Sequence, residues 1–173
     1  RMSEPNWTTL DATIERTFGA HALAVGLTAN QYETGTQVFN TTNWRAASNP
    51  SMTNLTGGKS RLTGAFVEDE IALADDMSVT AGLRIDHWEA FDGRVGRAAT
   101  GGFVTQAFAD REETDVNGAL SGQWEFAPDW AVQLSLATAT RYPTVGELFQ
   151  GSLLSDGSFD LNSFDPKLKP EKS

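Results

Sequence analysis

The chain has 173 residues, enough for one domain of ordinary size, and 39% of them are hydrophobic, which is low for a large packed core. It contains no cysteine, which excludes a disulfide framework and thiolate chemistry, and its net charge of −10 argues against a nucleic-acid backbone as partner. It has no run of about 18 apolar residues, which excludes a transmembrane helix. Its first residues lack the basic and apolar segments of a secretory signal, so we expect a mature chain, a truncated chain or a segment of a longer protein.

The first predicted element is a hairpin over residues 9–30. Its first strand alternates between an apolar set and a polar set, with the short sequence Gly19-Ala20-His21 as the turn. The second strand again places apolar residues at every second position, namely Leu23, Val25, Leu27 and Ala29. Residues 34–60 have no sustained period and are rich in Thr, Asn, Ser and Gly, so they are predicted to form a long loop, with the strand possible as far as Phe39.

A second hairpin is predicted over residues 61–91, with its turn at residues 74–77. Its second strand alternates without a break, so one face carries Val79, Ala81, Leu83 and Ile85, and the other carries Thr80, Gly82, Arg84 and Asp86. Residues 92–111 are predicted to be a second long polar loop. A third hairpin follows, with Val116, Leu120, Trp124 and Phe126 on one face of its first strand and a turn at Ala127-Pro128-Asp129.

Short turns near residues 20, 75 and 128 therefore alternate with loops of about twenty residues or more. This asymmetry is typical of an outer-membrane barrel, in which short turns face the periplasm and long loops face outward. Aromatic residues near the short turns would form an interfacial girdle: Phe18, Trp124, Phe126 and Trp130. The alternative is a soluble β-sandwich in which the aromatic side chains fill a core.

The last stretch, residues 137–173, begins as a strand that alternates to Arg141 and stops at Pro143, because proline cannot donate to a sheet ladder. About twenty irregular residues follow, and the chain resumes at residues 165–173. Two groups of residues, in this order, resemble the barrel of TonB-dependent outer-membrane receptors. The first is Arg141, Pro143, Thr144, Glu147 and Leu148, and the second is Pro166, Leu168, Lys169, Pro170, Glu171 and Ser173. Asp165 stands where that family usually has Asn.

The resemblance implies an all-β antiparallel meander of about six to seven strands, forming part of a transmembrane β-barrel. Receptors of this family have about 22 strands and an N-terminal plug. No plug, no energy-coupling box and no terminal aromatic strand is found in residues 1–173, so we expect a partial barrel that lacks the plug domain and the remaining strands. Six strands alone would leave two open edges, which is unstable in water and in lipid. We therefore expect the segment not to transport anything alone.

Candidate ligand-path residues are the polar side chains expected on the lumen side, chiefly Arg84, Asp86, Gln133 and Arg141, with Asp11 and Glu15. A water-filled lumen needs polar side chains in any case, which is the simpler interpretation. The motif residues Arg141, Pro143, Glu147, Leu168, Pro170 and Glu171 are expected to be structural. In particular, Arg141 is expected to pair with Glu147 and to fix the point where the strand ends.

No catalytic residue, metal site or cofactor is predicted. Glu68-Asp69-Glu70 cannot converge, because adjacent strand residues point to opposite faces. Asp156, Ser158, Asp160 and Asn162 lack the EF-hand pattern for calcium. His21 and His87 lie far apart in the sequence without a second-ligand pattern, so each is expected to be an ordinary strand or turn residue.

Two function classes remain. The first is a segment of a Gram-negative outer-membrane receptor for active uptake of a scarce nutrient, such as a metal chelate, a corrinoid or a glycan. Its partners would be outer-membrane lipid, the plug and remaining barrel of the parent receptor, the TonB energy-coupling system and the nutrient. The second is a soluble β-rich binding or adhesion module that uses its long loops. They differ in what covers the Leu/Val/Ile face, which is lipid in the first class and a second sheet in the second.

Overall fold

The computed structural model describes residues 2–43, 45–46, 48–155, 159–160 and 162–173, with residues 2–4 and 153 as backbone alone. Seven strands form the main sheet: β1 (Met2–Phe18), β2 (His21–Asn40), β3 (Ser51–Ala74), β4 (Met77–Ala99), β5 (Gly102–Ala107), β6 (Arg111–Ala127) and β7 (Trp130–Ala137). The rest of the chain contains β8 (Thr140–Arg141), α1 (Val145–Phe149), β9 (Ser152–Leu153), β10 (Phe159–Asp160) and β11 (Glu171–Lys172). No helix of the described residues is long and apolar enough to cross a bilayer.

The sheet is an antiparallel meander in the order β1-β2-β3-β4-β6-β7, and β5 pairs with the far end of β4. Two small sheets pair β9 with β10 and β8 with β11. Short turns connect β1 to β2, β3 to β4, and β6 to β7, at the positions that the sequence predicts. Gly19 and Asp129 in these turns have positive φ angles of 58° and 66°. The predicted meander is confirmed, because every neighbouring pair in the main sheet is antiparallel and the order follows the sequence, apart from the short β5, which pairs only with β4.

Two of the three predicted long loops are mostly strand. β2 continues to Asn40 and β3 begins at Ser51, so the connection between them spans only residues 41–50. Residues 92–111 likewise hold the end of β4 and all of β5. Polar residues such as Thr36 and Thr56 pair across the strands here. Alternation is absent because the inner side of this region carries small residues, such as the buried Thr56 and Gly58, which lie under the loop that carries α1, while the ladder hydrogen bonds persist.

The last strand also differs from the prediction. β7 ends at Ala137 rather than continuing to Arg141, because the chain changes partner. The Thr138 N–H still donates to Gly118 O at 2.9 Å, but Ala139 exchanges backbone hydrogen bonds of 3.1 and 3.0 Å with Ser173. β8 therefore pairs with β11, and the predicted irregular stretch after Pro143 contains the short helix α1.

The two faces of the sheet differ sharply, because directly opposed residues of antiparallel strands share a face. We call the face that carries α1 the inner face and the opposite one the outer face. Val79, Ala81, Leu83 and Ile85 lie on the outer face, in rows with Val25, Leu27, Val67, Val116, Leu120 and Leu136. Leu83 remains 60% exposed and Val116 65% exposed. The outer face is therefore an uncovered apolar band, and the two predicted sets of β4 residues lie on opposite faces.

The core lies on the inner face, at the end of the sheet away from the short turns. Its buried members are Trp88, Ala90, Val145, Leu148 and Phe149, and Leu62, Phe108, Tyr142 and Leu168 pack against them. The sheet receives α1 closely, because a Cβ at Gly58 or at Gly93 would lie 2.3 Å from the Phe149 ring. β4 has one extra residue between Phe91 and Arg94 relative to β3, and Asp92 there has a φ of 56°. This bulge changes the alternation, so Ala90 and Gly93 both lie under the loop that carries α1.

Candidate functional site: the inner face and the loop docked on it

The half-buried Arg84 and the buried Asp86 form an ion pair at the middle of the inner face. Arg84 Nε donates to Asp86 Oδ2 at 2.8 Å, and Arg84 Nη2 lies 2.7 Å from Asp86 Oδ1. The same Nη2 donates to Thr28 Oγ1 of β2 at 2.8 Å, across the intervening strand β3. Gly64 of β3 makes this crossing possible, since a Cβ there would lie 2.3 Å from Asp86 Oδ1. The two charges thus compensate each other, although the buried Asp86 Oδ1 accepts no hydrogen bond within the described residues.

A second polar cluster, one strand further along, joins the loop to β6. The buried carboxylate of Asp115 accepts a hydrogen bond from the Tyr142 hydroxyl at 3.2 Å and forms a close ion pair with Lys172 of β11. Lys172 Nζ also lies 4.0 Å from Glu113 Oε1. Burial, followed by the neighbouring Asp115 carboxylate, raises the pKa of Tyr142 well above its ordinary value, so the phenol stays a neutral donor.

Arg141 bridges two carboxylates where the chain leaves the wall. Its guanidinium contacts both Glu147 oxygens at 3.1 and 3.2 Å, and it contacts both Glu171 oxygens at 3.1 and 3.2 Å. The predicted pairing of Arg141 with Glu147 is confirmed, and Glu171 is a second partner that sequence separation concealed. A planar guanidinium suits such two-sided bidentate contact. Arg141 therefore joins β8, α1 and β11.

Glu147 also closes the N-terminus of α1. The Thr144 hydroxyl accepts from the Glu147 N–H at 3.3 Å, and Glu147 Oε2 accepts from the Thr144 N–H at 2.8 Å, which is a capping box. The backbone N–H of Thr144, then its hydroxyl and the Arg141 guanidinium, hold the pKa of Glu147 below its ordinary value of 4.5. A helix of this length is stable only through such caps and through packing.

Arg111 holds the returning part of the loop. Its Nη1 donates to the carbonyl oxygens of Pro166 and Leu168 at 3.0 and 2.7 Å, while its guanidinium stacks 5.6 Å from the Trp88 ring centroid. Trp88 in turn stacks on Tyr142 at 5.7 Å. Of the other motif residues, Pro143 is buried, Leu168 packs against the core, and Pro170 is half-buried directly before β11.

The four predicted ligand-path residues do not form one cluster. Arg84 and Asp86 lie together, whereas Arg141 is engaged by carboxylates at the exit of the strand. Gln133 lies on the inner face of β7 opposite Gln123, whereas Arg84 lies opposite Asn117. Asn117 and Gln123 are six positions apart on β6, which corresponds to about 20 Å along the strand. The Gln133 side chain is exposed and forms no hydrogen bond among the described residues. The ligand-path assignment therefore stays a prediction, with Arg84 and Asp86 placed centrally.

The remaining sequence candidates have defined places. Asp69 lies on the outer face and contacts His21 Nδ1 at 2.7 Å, whereas Glu68 and Glu70 lie on the inner face, so the three acidic residues do not converge. His21 thus has a partner that the sequence did not indicate. Asp160 Oδ1 accepts from the Asn162 N–H at 2.9 Å. Asp156 and Ser158, the other members of that candidate set, lie outside the described residues.

Aromatic side chains cluster at the short-turn end of the outer face. The ring centroids of Trp124 and Phe126 are 5.7 Å apart, and those of Phe126 and Trp130 are 6.5 Å apart. Phe18 stacks on His21 with a centroid distance of 5.5 Å. Trp124 Nε1 donates to Asp76 Oδ2 at 3.3 Å, which gives its polar edge a partner at the turn. An apolar ring body with a hydrogen-bonded polar edge is the arrangement that a membrane interface favours.

Sequence reasoning missed Asp115, Tyr142, Arg111 and Lys172, which are central to the inner face. Asp115 and Arg111 lie in β6, and the residues that their side chains contact are far from them in the sequence. Tyr142 and Lys172 belong to the two motif regions but were not distinguished from their neighbours. The alternation within β6 does place Asp115 opposite the apolar set, and this signal could have indicated an inward-facing carboxylate.

The antiparallel sheet has an uncovered apolar outer face and a polar inner face, with aromatic side chains at the short turns and a loop docked on the inner face. These features define a wall segment of a transmembrane β-barrel. Residues 2–173 match the family model described as TonB dependent receptor-like, beta-barrel. The chain belongs to the TonB-dependent receptor family, whose members are outer-membrane receptors of Gram-negative bacteria. Searches of the curated proteins and of the solved structures found no match.

Proposed function

We propose that this chain is part of the wall of an outer-membrane receptor that actively takes up a scarce nutrient, namely a metal chelate, a corrinoid or a glycan. The observation that carries the proposal is the difference between the two faces of one meander. Large apolar side chains remain exposed on the outer face, while ion pairs and the docked loop occupy the inner face. A lipid solvent outside and a hydrated lumen inside would satisfy both faces.

A soluble binding or adhesion module explains this arrangement less well. It would need a second sheet over the apolar band, and the described residues provide none. The sheet also has two free edges, at β1 and at β7. Unpaired backbone groups at such edges are costly in a bilayer, so the wall would close through further strands of the parent receptor. We infer that a plug domain fills the lumen and that the TonB system supplies energy through the parent.

The inner face suggests how the wall would contribute to uptake. Several of its charged groups are paired, as in Arg84 with Asp86 and Asp115 with Lys172. Paired charges keep a fixed geometry and still offer hydrogen bonds to a passing polar ligand. We expect these groups to line the path, and we expect no catalytic change of the nutrient.

Uptake by the full-length receptor tests the proposal. It would be produced in a Gram-negative host that lacks its own receptors, and accumulation of three labelled probes would be measured: a ferric hydroxamate chelate, cyanocobalamin and a maltooligosaccharide. We expect one probe class to accumulate chemically unchanged, and an uncoupler of the proton-motive force to abolish the accumulation. Accumulation of none, or accumulation that survives the uncoupler, would contradict energised uptake of these classes. The 173-residue chain alone in liposomes should accumulate none of them.

A further inference from the structure

Three metal-ligating side chains meet on the outer face, away from the inner-face contacts. His87 and Glu89 are two residues apart on β4 and share the outer face, and Glu112 of β6 lies directly opposite Glu89. One ligand atom of each side chain lies within 4.8 Å of the others. His87 and Glu89 are half-buried and Glu112 is exposed, so small rotations can shorten these separations to those within a coordination shell. Glu89 and Glu112 also line a cavity of about 470 Å³ that gives access to the cluster.

The surroundings of the cluster orient the ring and leave one carboxylate uncompensated. Thr114 Oγ1 lies 2.8 Å from His87 Nδ1, which leaves Nε2 as the ring nitrogen able to bind a cation. Glu89 has a cationic neighbour in Arg61, whose Nη1 lies 3.4 Å from Glu89 Oε2. The Glu112 side chain forms no hydrogen bond or ion pair within the described part of the chain. Two carboxylates directly opposite each other on a sheet repel, and a bridging cation would remove that repulsion.

The cluster of His87, Glu89 and Glu112 lies close to the apolar band of the outer face, which favours binding of a cation. Leu27, Ala65, Ile85 and Val116 form the last apolar row of the outer face, and the row of His87 and Thr114 follows it directly. The row of Glu89 and Glu112 comes next. Successive residues on one face of a strand are about 7 Å apart, so the cluster lies within about 14 Å of the apolar band. A pair of carboxylates this close to a low-dielectric region gains strongly from a counter-charge.

We propose that His87, Glu89 and Glu112 bind a divalent transition-metal cation of the Zn²⁺ class on the outer face, at the edge of the apolar band. One imidazole nitrogen and two carboxylates are a donor set that Zn²⁺ accepts, with a fourth position open to water or to an oxygen of a neighbouring headgroup. Ca²⁺ and Mg²⁺ prefer oxygen ligands alone, so the imidazole favours the transition metal. The Thr114 hydroxyl acts as the outer partner that fixes the ring. The site is independent of the nutrient path.

Calorimetric titration of the full-length receptor tests the site, with the protein in non-ionic detergent, stripped of metal by a chelator, and titrated with Zn²⁺, Ca²⁺ or Mg²⁺. We expect Zn²⁺ to bind more tightly than Ca²⁺ or Mg²⁺, and His87→Ala and Glu112→Gln each to weaken Zn²⁺ binding at least about tenfold. Thr114→Val should weaken it in the same direction. His21→Ala is the matched control, since it removes the other of the chain's 2 histidines, which also lies on the outer face. It should leave the affinity unchanged.

Two outcomes would overturn the proposal: unchanged Zn²⁺ affinity in either His87→Ala or Glu112→Gln, or Ca²⁺ binding that equals Zn²⁺ binding. Heat-modifiable gel mobility would show that each variant barrel is assembled. Glu112→Gln keeps the shape of the side chain at an exposed position, so it decides the matter even where His87→Ala fails to assemble. Failure of nutrient uptake with intact Zn²⁺ binding would count against the uptake proposal alone.

Discussion

At the residue scale, Arg141 and Glu147 show how a loop is fixed to a barrel wall by charge and capping together. Glu147 accepts hydrogen bonds from Thr144 and from Arg141, and Arg141 reaches Glu171 on the returning strand. The sequence could indicate the nearer partner because six residues separate Arg141 from Glu147. It could not indicate the second, since Arg141 and Glu171 are 30 positions apart in the sequence and the pairing of β8 with β11 has no local signal.

The first residue-scale prediction is a pH dependence of loop docking. The pKa of Glu147 is lowered in the folded chain, so its contribution is present above the ordinary value of 4.5 and is lost as pH falls through the lower folded-state value. The chain has no cysteine, so Ser155→Cys, at an exposed turn, introduces one labelling site. Once any cysteine outside this chain is replaced, the full-length receptor can carry a single fluorescent label there. We expect the anisotropy of the label to decrease as the pH falls through the folded-state pKa of Glu147, which lies below 4.5. Glu147→Gln should show the lower anisotropy already at pH 7, with a flatter pH profile.

The second residue-scale prediction concerns the guanidinium. Arg141→Lys keeps the charge but cannot contact two carboxylates bidentately, so the loop should be cleaved faster in limited proteolysis. Arg16→Lys is the control, because the Arg16 side chain forms no ion pair or hydrogen bond within the described residues. Equal cleavage of the two variants would show that the fork geometry of Arg141 does not hold the loop. Loss of nutrient binding with an unchanged cleavage rate would instead make Arg141 a ligand contact.

At the element scale, the position of α1 depends on two glycines of neighbouring strands. Gly58 of β3 and Gly93 of β4 leave the space that the Phe149 ring occupies. Alternation and turn residues were enough to predict the three hairpins, because period two and short turns are local features. They were not enough to predict strand length beyond the apolar band, nor α1, since five residues with a capping box have no sequence period to detect. The bulge at Asp92, which turns Gly93 toward the loop, is likewise invisible without the partner strand.

The element-scale prediction is that Gly93→Ala displaces the loop. The new Cβ would lie 2.3 Å from the Phe149 ring, so either α1 moves away or the ring leaves its place. Gly82→Ala on the same strand is the matched control, since its nearest contact would be an ordinary 3.6 Å. Phe149→Ala alone should destabilise docking by about 3–5 kcal/mol, as for other buried aromatic residues. In the double variant the two effects should not add, and anisotropy of the label at position 155 would measure this. Full additivity would mean that Gly93 and Phe149 do not meet.

At the scale of the whole molecule, the chain is one wall with an apolar outer face and a polar inner face, and most of its charged network lies on the inner face. This division could be predicted from the sequence of β4 alone, because Val79, Ala81, Leu83 and Ile85 alternate with polar residues. The cross-strand clusters could not be predicted, since they join residues far apart in the sequence, such as Asp115 and Lys172, which are 57 positions apart. The outer-face cluster of His87 and Glu112 depends on the same kind of register.

The whole-molecule prediction is that charge is tolerated on one face only. Leu83→Arg places a cation in the middle of the apolar outer face and should cost about 2–4 kcal/mol, so the full-length receptor should assemble poorly. Arg84→Leu is the opposite change on the inner face, but it would also leave the buried Asp86 carboxylate without its partner. Thr80→Arg is therefore the better matched control, because Thr80 lies on the inner face of the same strand, opposite Ser121 and Glu70. Heat-modifiable gel mobility should show assembled barrel for Thr80→Arg and little for Leu83→Arg. Equal assembly of both, or failure of Thr80→Arg alone, would mean that the outer face does not meet lipid.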